Sequence, residues 1–522
     1  MSLFLALPVL AVAALVAVAV LAASKPGMRP RRVLLASRIA TLFSVGAAIF
    51  VATMVVIGGT ITGPTIGREG LGLAIRLDAL SVTMFLLVAF IGAVVTEFSR
   101  NYLDGDGRQG AFLGNLALTI AAVMLLVLSG NLVLLVAAWI ATSLALHRLL
   151  VFYPERLRAV AAARKKFLVA RFGDALLVTA AVLLFVAFGT ADIGEILAAA
   201  PAAKAGGVVP AEATGAAVLI ALAALLKSAQ FPAHGWLPEV METPTPVSAL
   251  LHAGIINAGG FLVIRFADVM VLSFSSLHLL ALVGGFTALF GAVVMMTQTA
   301  VKTQLAWSTV AQMGFMLLQC GLGAFALATL HLVAHSLYKA HAFLTSGSAV
   351  ERRRYAGPAV EATSGGRLAA AVAIALVLYA GFGWVATVTV GHPPAVVALG
   401  AIVVMGLAMF LTAGSARGDR RVFGRVILAS VGVSAAYVVL QAGASALLGP
   451  VLPPVPEMGA ASLAIAALVI VSFAAVTLFQ IFAPTLGGHP LSRAAYVHLS
   501  NGLYANALFD RLVDAGRRHH AH

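Results

Sequence analysis

The chain is 522 residues long, 61% hydrophobic and only 10% charged, with a mean hydropathy of +1.04. A soluble fold of this size would carry about 25% charged residues, so a water-soluble globular protein is excluded and the bilayer is the solvent. The net charge of +14 is not a nucleic-acid footprint, because the basic residues fall in alternate loops between apolar runs.

In chain order the apolar runs cover 2–23, 33–57, 79–97, 111–129, 131–150, 167–189, 214–231, 247–267, 277–297, 303–320, 323–349, 368–390, 395–414, 426–447 and 460–483. They predict an all-α polytopic membrane protein of about 15 transmembrane helices (13–15), in one membrane domain over 1–490 with a tail at 491–522. An odd number of spans puts the termini on opposite sides. Five basic residues lie between Lys25 and Arg38, seven between Arg148 and Arg171, and four between Arg417 and Arg425, all on one side, whereas Arg68, Arg76 and Lys204 face the other. The positive-inside rule then expects a cytoplasmic C-terminus and an external N-terminus. Anionic lipid and a cytoplasmic partner are secondary uses of the same charge.

The first span resembles a signal peptide only in its Ala22-Ala23-Ser24 ending. No positive charge precedes it and its apolar core is too long, so an uncleaved span is expected. The longest connections, 58–78, 190–213, 350–367 and 448–459, hold no soluble domain. The single cysteine, Cys320, excludes a disulfide framework within the chain and any cysteine-based metal cluster. There is no P-loop, dinucleotide fingerprint, or haem or zinc spacing, so no cofactor is expected in this chain.

Ionisable residues at membrane depth are the informative feature, because each costs at least a few kcal/mol there unless paired or hydrated. Asp174 follows Arg171 at i+3 and reads either as an interfacial ion pair with it or as the counter-ion of a buried lysine. That lysine is Lys227, which closes an apolar run just before Phe231-Pro232. Proline leaves carbonyls unbonded, so a broken seventh helix is expected, a feature tolerated where it faces protein or water. A lysine snorkelling to the interface is the alternative. Next come His234, Glu239 and Glu242 among prolines 238, 244 and 246, where the two carboxylates either gather protons at the membrane surface or cap helices in solvent. His252, early in the eighth span, is a core histidine or a proton carrier.

The strongest pattern is His331, His335 and Lys339 in the eleventh span. Residues at i, i+4 and i+8 drift about 40° per step and rise about 6 Å, so these three form one polar stripe suited to a relay. Two histidines at i and i+4 can also ligate zinc, but the glutamate of a metalloprotease helix is absent and Lys339 would repel a cation. His341 lies on another face. Imidazole titrates near neutrality and burial brings lysine toward that range, so the set favours protons over sodium.

The run from Lys227 through Gln230, Pro232, Trp236 and Pro238, then Pro244, Pro246, Ser248 and His252, resembles the core signature of the antiporter-like subunits of respiratory complex I and multisubunit cation/proton antiporters. Lys302 to Gly314 and His331 to Lys339 continue the likeness, which covers roughly 78–350. The resemblance implies an antiporter-like fold with two inverted repeats. It also implies a proton path through Lys227, the central lysine of the broken helix, and through Asp174, His252, His331, His335 and Lys339, with Glu239, Glu242 and His234 as its mouth.

Two departures stand out. The family's pump members carry a Trp-Glu pair in helix 5 where this chain reads Trp139-Ile140, and residues 368–390 hold no charge where the family's second broken helix usually does. No long lateral helix is expected after residue 490.

This reduced version resembles the DabB-type membrane subunits of two-component dissolved-inorganic-carbon accumulation complexes, whose ending the run His498 to Leu512 also matches. That resemblance implies a bacterial cell membrane location. It further implies a large cytoplasmic zinc-binding partner of the DabA type, related to β-carbonic anhydrases, whose hydration of carbon dioxide is driven one way by ion flow through this chain. A pumping subunit of complex I or a multisubunit antiporter is the alternative, and a passive anchor with a vestigial polar axis a third.

Overall fold

The computed structural model describes residues 3–68, 71–348, 365–390, 394–415, 420–482, 490–507 and 511. Eleven of the described helices are long and apolar enough to cross a membrane. The four remaining expected spans also fall on helices, Ala211–Lys227, Val301–Gly321, Phe325–Leu344 and Gly365–Val390. Outward faces are greasy, as a lipid-facing surface must be: Leu35, Ile39, Leu42 and Ile57 of one helix and Phe172 of another are all exposed.

The residues group into two compact units, Met1–Leu277 with His331–Gly347, and His278–Leu330 with Ser348–His522. In the first unit, α1 (Leu3–Ser24), α2 (Arg31–Gly58), α3 (Ala79–Tyr102) and α4 (Gln109–Val127) form one packed group, with α1 on α4 and α2 on α3. Next come α5 (Leu132–Leu150), α6 (Leu157–Phe188), α7 (Ile193–Ala205) and α8 (Ala211–Lys227). The chain continues through α9 (Trp236–Glu239), α10 (Thr245–Ala253), α11 (Ala258–Arg265) and α12 (Ala267–Met270). The unit is completed by the larger part of α15 (Phe325–Leu344). In the second unit α13 (Phe274–Thr297) meets α14 (Val301–Gly321) so closely that a Cβ on Gly284 would lie 2.7 Å from the carbonyl oxygen of Gly314.

Three details differ from the sequence reading. The 58–78 connection folds back as two antiparallel ladders, Ile61–Thr62 with Arg76–Leu77 and Ile66–Arg68 with Leu71–Leu73, a small strand content inside the all-α fold. β-Branched Ile and Thr alternating with glycine fit a short pleated hairpin, and the glycines allow close approach. The 190–213 connection contains α7, started by Asp192, whose carboxylate accepts from the Glu195 N–H at 3.0 Å. Finally, α6 begins at Leu157 rather than at 167, two to three turns earlier. The basic loop at 350–367 lies largely outside the described residues.

A buried ion cluster fixes the start of α3. Asp78 accepts from Ser81 N–H at 2.9 Å while Ser81 Oγ accepts from Asp78 N–H at 2.8 Å, a reciprocal cap. Arg265, at the end of α11, grips the same carboxylate with both Nη atoms, at 2.5 and 3.1 Å, and Arg76 Nε adds a contact at 2.7 Å. Burial alone would raise this carboxyl, but the guanidinium groups of Arg265 and Arg76 outweigh it and hold Asp78 well below the usual carboxylate range.

Near the other end of α3 the connection to α4 is tied to that between α5 and α6. Tyr153 donates to Asp106 at 2.6 Å, and the guanidinium groups of Arg108 and Arg156 each stand 4.7 Å from the Tyr153 ring centre. The hydrogen bond from Tyr153 holds Asp106 below its ordinary value, and burial together with the same carboxylate pushes the phenol up to about 12. A depressed carboxyl stabilises the fold above its unfolded pKa of about 3.9 and loses that contribution as pH falls through the lower folded value. Tyr153→Phe is therefore expected to cost roughly 1 kcal/mol near neutral pH. In thermal melts of the detergent-solubilised protein, the gap from wild type should close as pH drops below about 4; a gap that does not change with pH would refute the role of the carboxylate.

Candidate functional site

The site is built where α8 stops. Lys227 is its last residue, so the helix carbonyl end favours the ammonium charge. Ser228 N–H still bonds to the Ala224 carbonyl at 2.9 Å, and Gln230 N–H to that of Leu225 at 3.0 Å, with Ala229 between them at φ +50°. Helical structure resumes only at Trp236. Ser228 Oγ donates to the Ile256 carbonyl at 3.2 Å, and α11 lies so near that a Cβ on Gly259 would collide with Ser228 Oγ and the Ala224 carbonyl oxygen. The end of α8 is thus pinned against the α10–α11 segment.

Lys227 turns inward to α5. Its Nζ donates to Thr142 Oγ1 at 3.3 Å and stands 4.3 Å from the Trp139 ring centre. It lines a cavity of about 20 Å³, room for roughly one water molecule, with Leu226, Trp236, Leu251 and Ile256.

A second amine lines the same cavity. Lys166 of α6 is only 4% exposed, and its Nζ donates to both the carbonyl oxygen and the Oγ of Ser143, each at 2.9 Å. Sequence reasoning placed this lysine in a basic loop. The signal that finds it is the buried stripe Ala159, Ala162, Ala163, Lys166, Val169, Gly173 and Leu177, which runs at helical spacing straight through it.

Asp174 is buried on the same stripe; its ion pair is the i+3 one with Arg171 at 2.6 Å, and its charge also acts on Lys227. At the proposed mouth, Glu239 pairs with Lys165 at 2.7 Å. Glu242 is exposed and its carbonyl accepts from Arg156 at 2.5 Å. His234 is 1% exposed and stacked on Phe231, inside rather than at the surface.

The remaining candidates converge on α15. His252 is fully buried in α10 and stacks on Phe343, ring centres 4.4 Å apart. Phe343 is one turn beyond Lys339, which is 0% exposed, and His335, 4% exposed, is one turn before it. His331 continues the file, its ring centre 6.2 Å from that of His335. Asn257 Nδ2 donates to Ser336 Oγ at 2.7 Å and locks α15 to the turn after α10. Leu251, next to His252 in α10, lines the lysine cavity together with Ile255 and Ile256 of the following turn.

Fold and site together define a polytopic membrane protein with titratable side chains filed through its interior. Residues 129–417 match the family described as NADH:quinone oxidoreductase/Mrp antiporter, TM, and residues 65–113 match NADH-ubiquinone oxidoreductase (complex I), chain 5 N-terminus. The probable inorganic carbon transporter subunit DabB2 of Halothiobacillus neapolitanus is 38% identical over 449 residues, 85% of this chain and 80% of that protein. The probable inorganic carbon transporter subunit DabB of Hydrogenovibrio crunogenus is 49% identical over 278 residues, 53% of this chain and about half (53%) of its own length. A chain in the structure of the Mrp complex from Dietzia sp. DQ12-45-1b is similar over 98% of this chain and 59% of its own, at 26% identity and a TM-score of 0.64. The chain belongs to the NADH:quinone oxidoreductase/Mrp antiporter family of membrane subunits, within its DabB-type group.

Proposed function

We propose that this chain is the proton-conducting membrane subunit of an inorganic-carbon accumulation complex. The observation that carries the reading is the file of buried His252, His335 and Lys339 together with the half-buried Lys227 at the broken end of α8. Lysine and imidazole are poor ligands for alkali cations and good proton carriers. The inorganic carbon transporter names of its relatives support the substrate class.

In this reading the chain lies in the bacterial cell membrane with its C-terminus inside. Zinc and the hydration of carbon dioxide belong to a large cytoplasmic DabA-type partner related to β-carbonic anhydrases. Ion flow makes that hydration one-way. The exposed helix Pro490–Ser500 offers the partner a surface, with Tyr496 and Tyr504 on show.

A second reading, a subunit of a multisubunit cation/proton antiporter, draws on the Mrp likeness over nearly the whole chain. Affinity purification of the tagged chain from its own cells separates the two. A single large soluble subunit containing zinc is expected, and vesicles holding the pair should accumulate bicarbonate from carbon dioxide until a protonophore is added. Recovery of several small membrane subunits with sodium-driven proton exchange would replace the first reading by the second.

A further inference from the structure

We infer that Lys166 and Lys227 act as a proton-sharing pair, in which Lys166 charges Lys227 through one water held in the cavity between them. The inference rests on the proton-conduction reading and names a carrier that reading does not require.

Both amines line one small cavity whose other walls are apolar side chains. They are anchored on adjacent residues of α5, Lys166 on Ser143 and Lys227 on Thr142. An ammonium has three N–H donors. Lys166 directs two at Ser143 and Lys227 directs one at Thr142, so each retains a donor for a shared water.

The charges nearby do not neutralise the pair. Asp174 attracts both amines and Arg171, bound to it at 2.6 Å, repels them, so that ion pair adds no net charge beside the lysines, and Glu239 is taken by Lys165 at 2.7 Å. From α5, His147 feels the Lys166 charge, while α10 and the turn after it line the cavity with Leu251, Ile255 and Ile256. Two lysines lining one largely apolar cavity, with the nearest carboxylate already held by Arg171, repel each other when both are charged, so the pair holds one proton more readily than two.

The step balances without a co-reactant. The Lys166 ammonium gives a proton to the water as that water gives one to the neutral Lys227 amine. Lys166 is left neutral, Lys227 becomes cationic, and the water is restored.

The test is proton flux in vesicles containing the intact complex, measured against pH for wild type, Lys227→Met, Lys166→Arg and Lys166→Gln. Arginine keeps the charge and the donors to Ser143 but does not release its proton. Lys166→Arg is therefore expected to reduce flux at least tenfold while the complex still assembles. Lys166→Gln, which retains hydrogen bonding without titrating, should lose similar flux and reduce two coupled titration steps in the pH profile to one. Wild-type flux and an unchanged profile in both Lys166 variants, beside a dead Lys227→Met, would make Lys166 a mere anchor for α5 and overturn the inference while leaving the conduction reading intact. Absence of flux in wild type would instead remove that reading, and the pair with it.

Discussion

Lys227→Met is expected to lower proton flux through the reconstituted complex by at least about tenfold, which corresponds to 1.4 kcal/mol or more on the transfer barrier. Methionine fills a similar volume, so the apolar walls around Leu226 and Trp236 stay packed. What disappears is the titrating group that touches Thr142 and the Trp139 face at the end of α8. Arginine should not rescue, because a group that never releases its proton blocks a path that a lysine opens. Gel filtration in detergent and retention of the partner check that the variant is folded. Undiminished flux in a folded Lys227→Met complex would remove this lysine from the path.

The second large effect is on stability. Arg265→Ala should destabilise the first unit by about 3–5 kcal/mol, the usual cost of stripping one partner from a buried ion pair. Arg265 is 3% exposed and Asp78 0%, and Arg76 alone cannot replace the two-pronged grip. Removing both charges, as Arg265→Met with Asp78→Leu, should recover part of the loss, since no unpaired carboxylate is left behind. The Asp78 cap of α3 is lost in that double variant, so recovery is incomplete. Thermal melts of Arg265→Met, Asp78→Leu and the double variant in detergent give the coupling directly. Equal, additive losses would show that the charges act separately.

Much of this was legible in the sequence because lipid enforces simple rules. Each apolar run expected to span the membrane falls on a helix, since unpaired backbone groups cannot face hydrocarbon. His331, His335 and Lys339 were found by spacing alone, which fixes a shared helical face whatever the surroundings. Their neighbour His252 was legible as a residue, but its stacking on Phe343 was not, because pairing between helices leaves no local pattern. Lys166 was hidden by its company. Six other basic residues crowd 148–171, and charge density reads as solvent, whereas the alanines at 159, 162 and 163 betray a buried face beginning before the hydropathy rises. The 61–77 hairpin was missed for the opposite reason. Its strands are only two or three residues long, shorter than any alternation can reveal.

The tightness of the chamber shared by the two amines has a consequence for selectivity on the proposed reading. A void of about 20 Å³ admits roughly one water, so an alkali ion would have to shed nearly its whole hydration shell among apolar walls and beside the lysine pair's positive charge. A hopping proton needs no such dehydration. Discrimination against sodium then arises as steric and dielectric sieving, built into the packing of α5, α6 and α8.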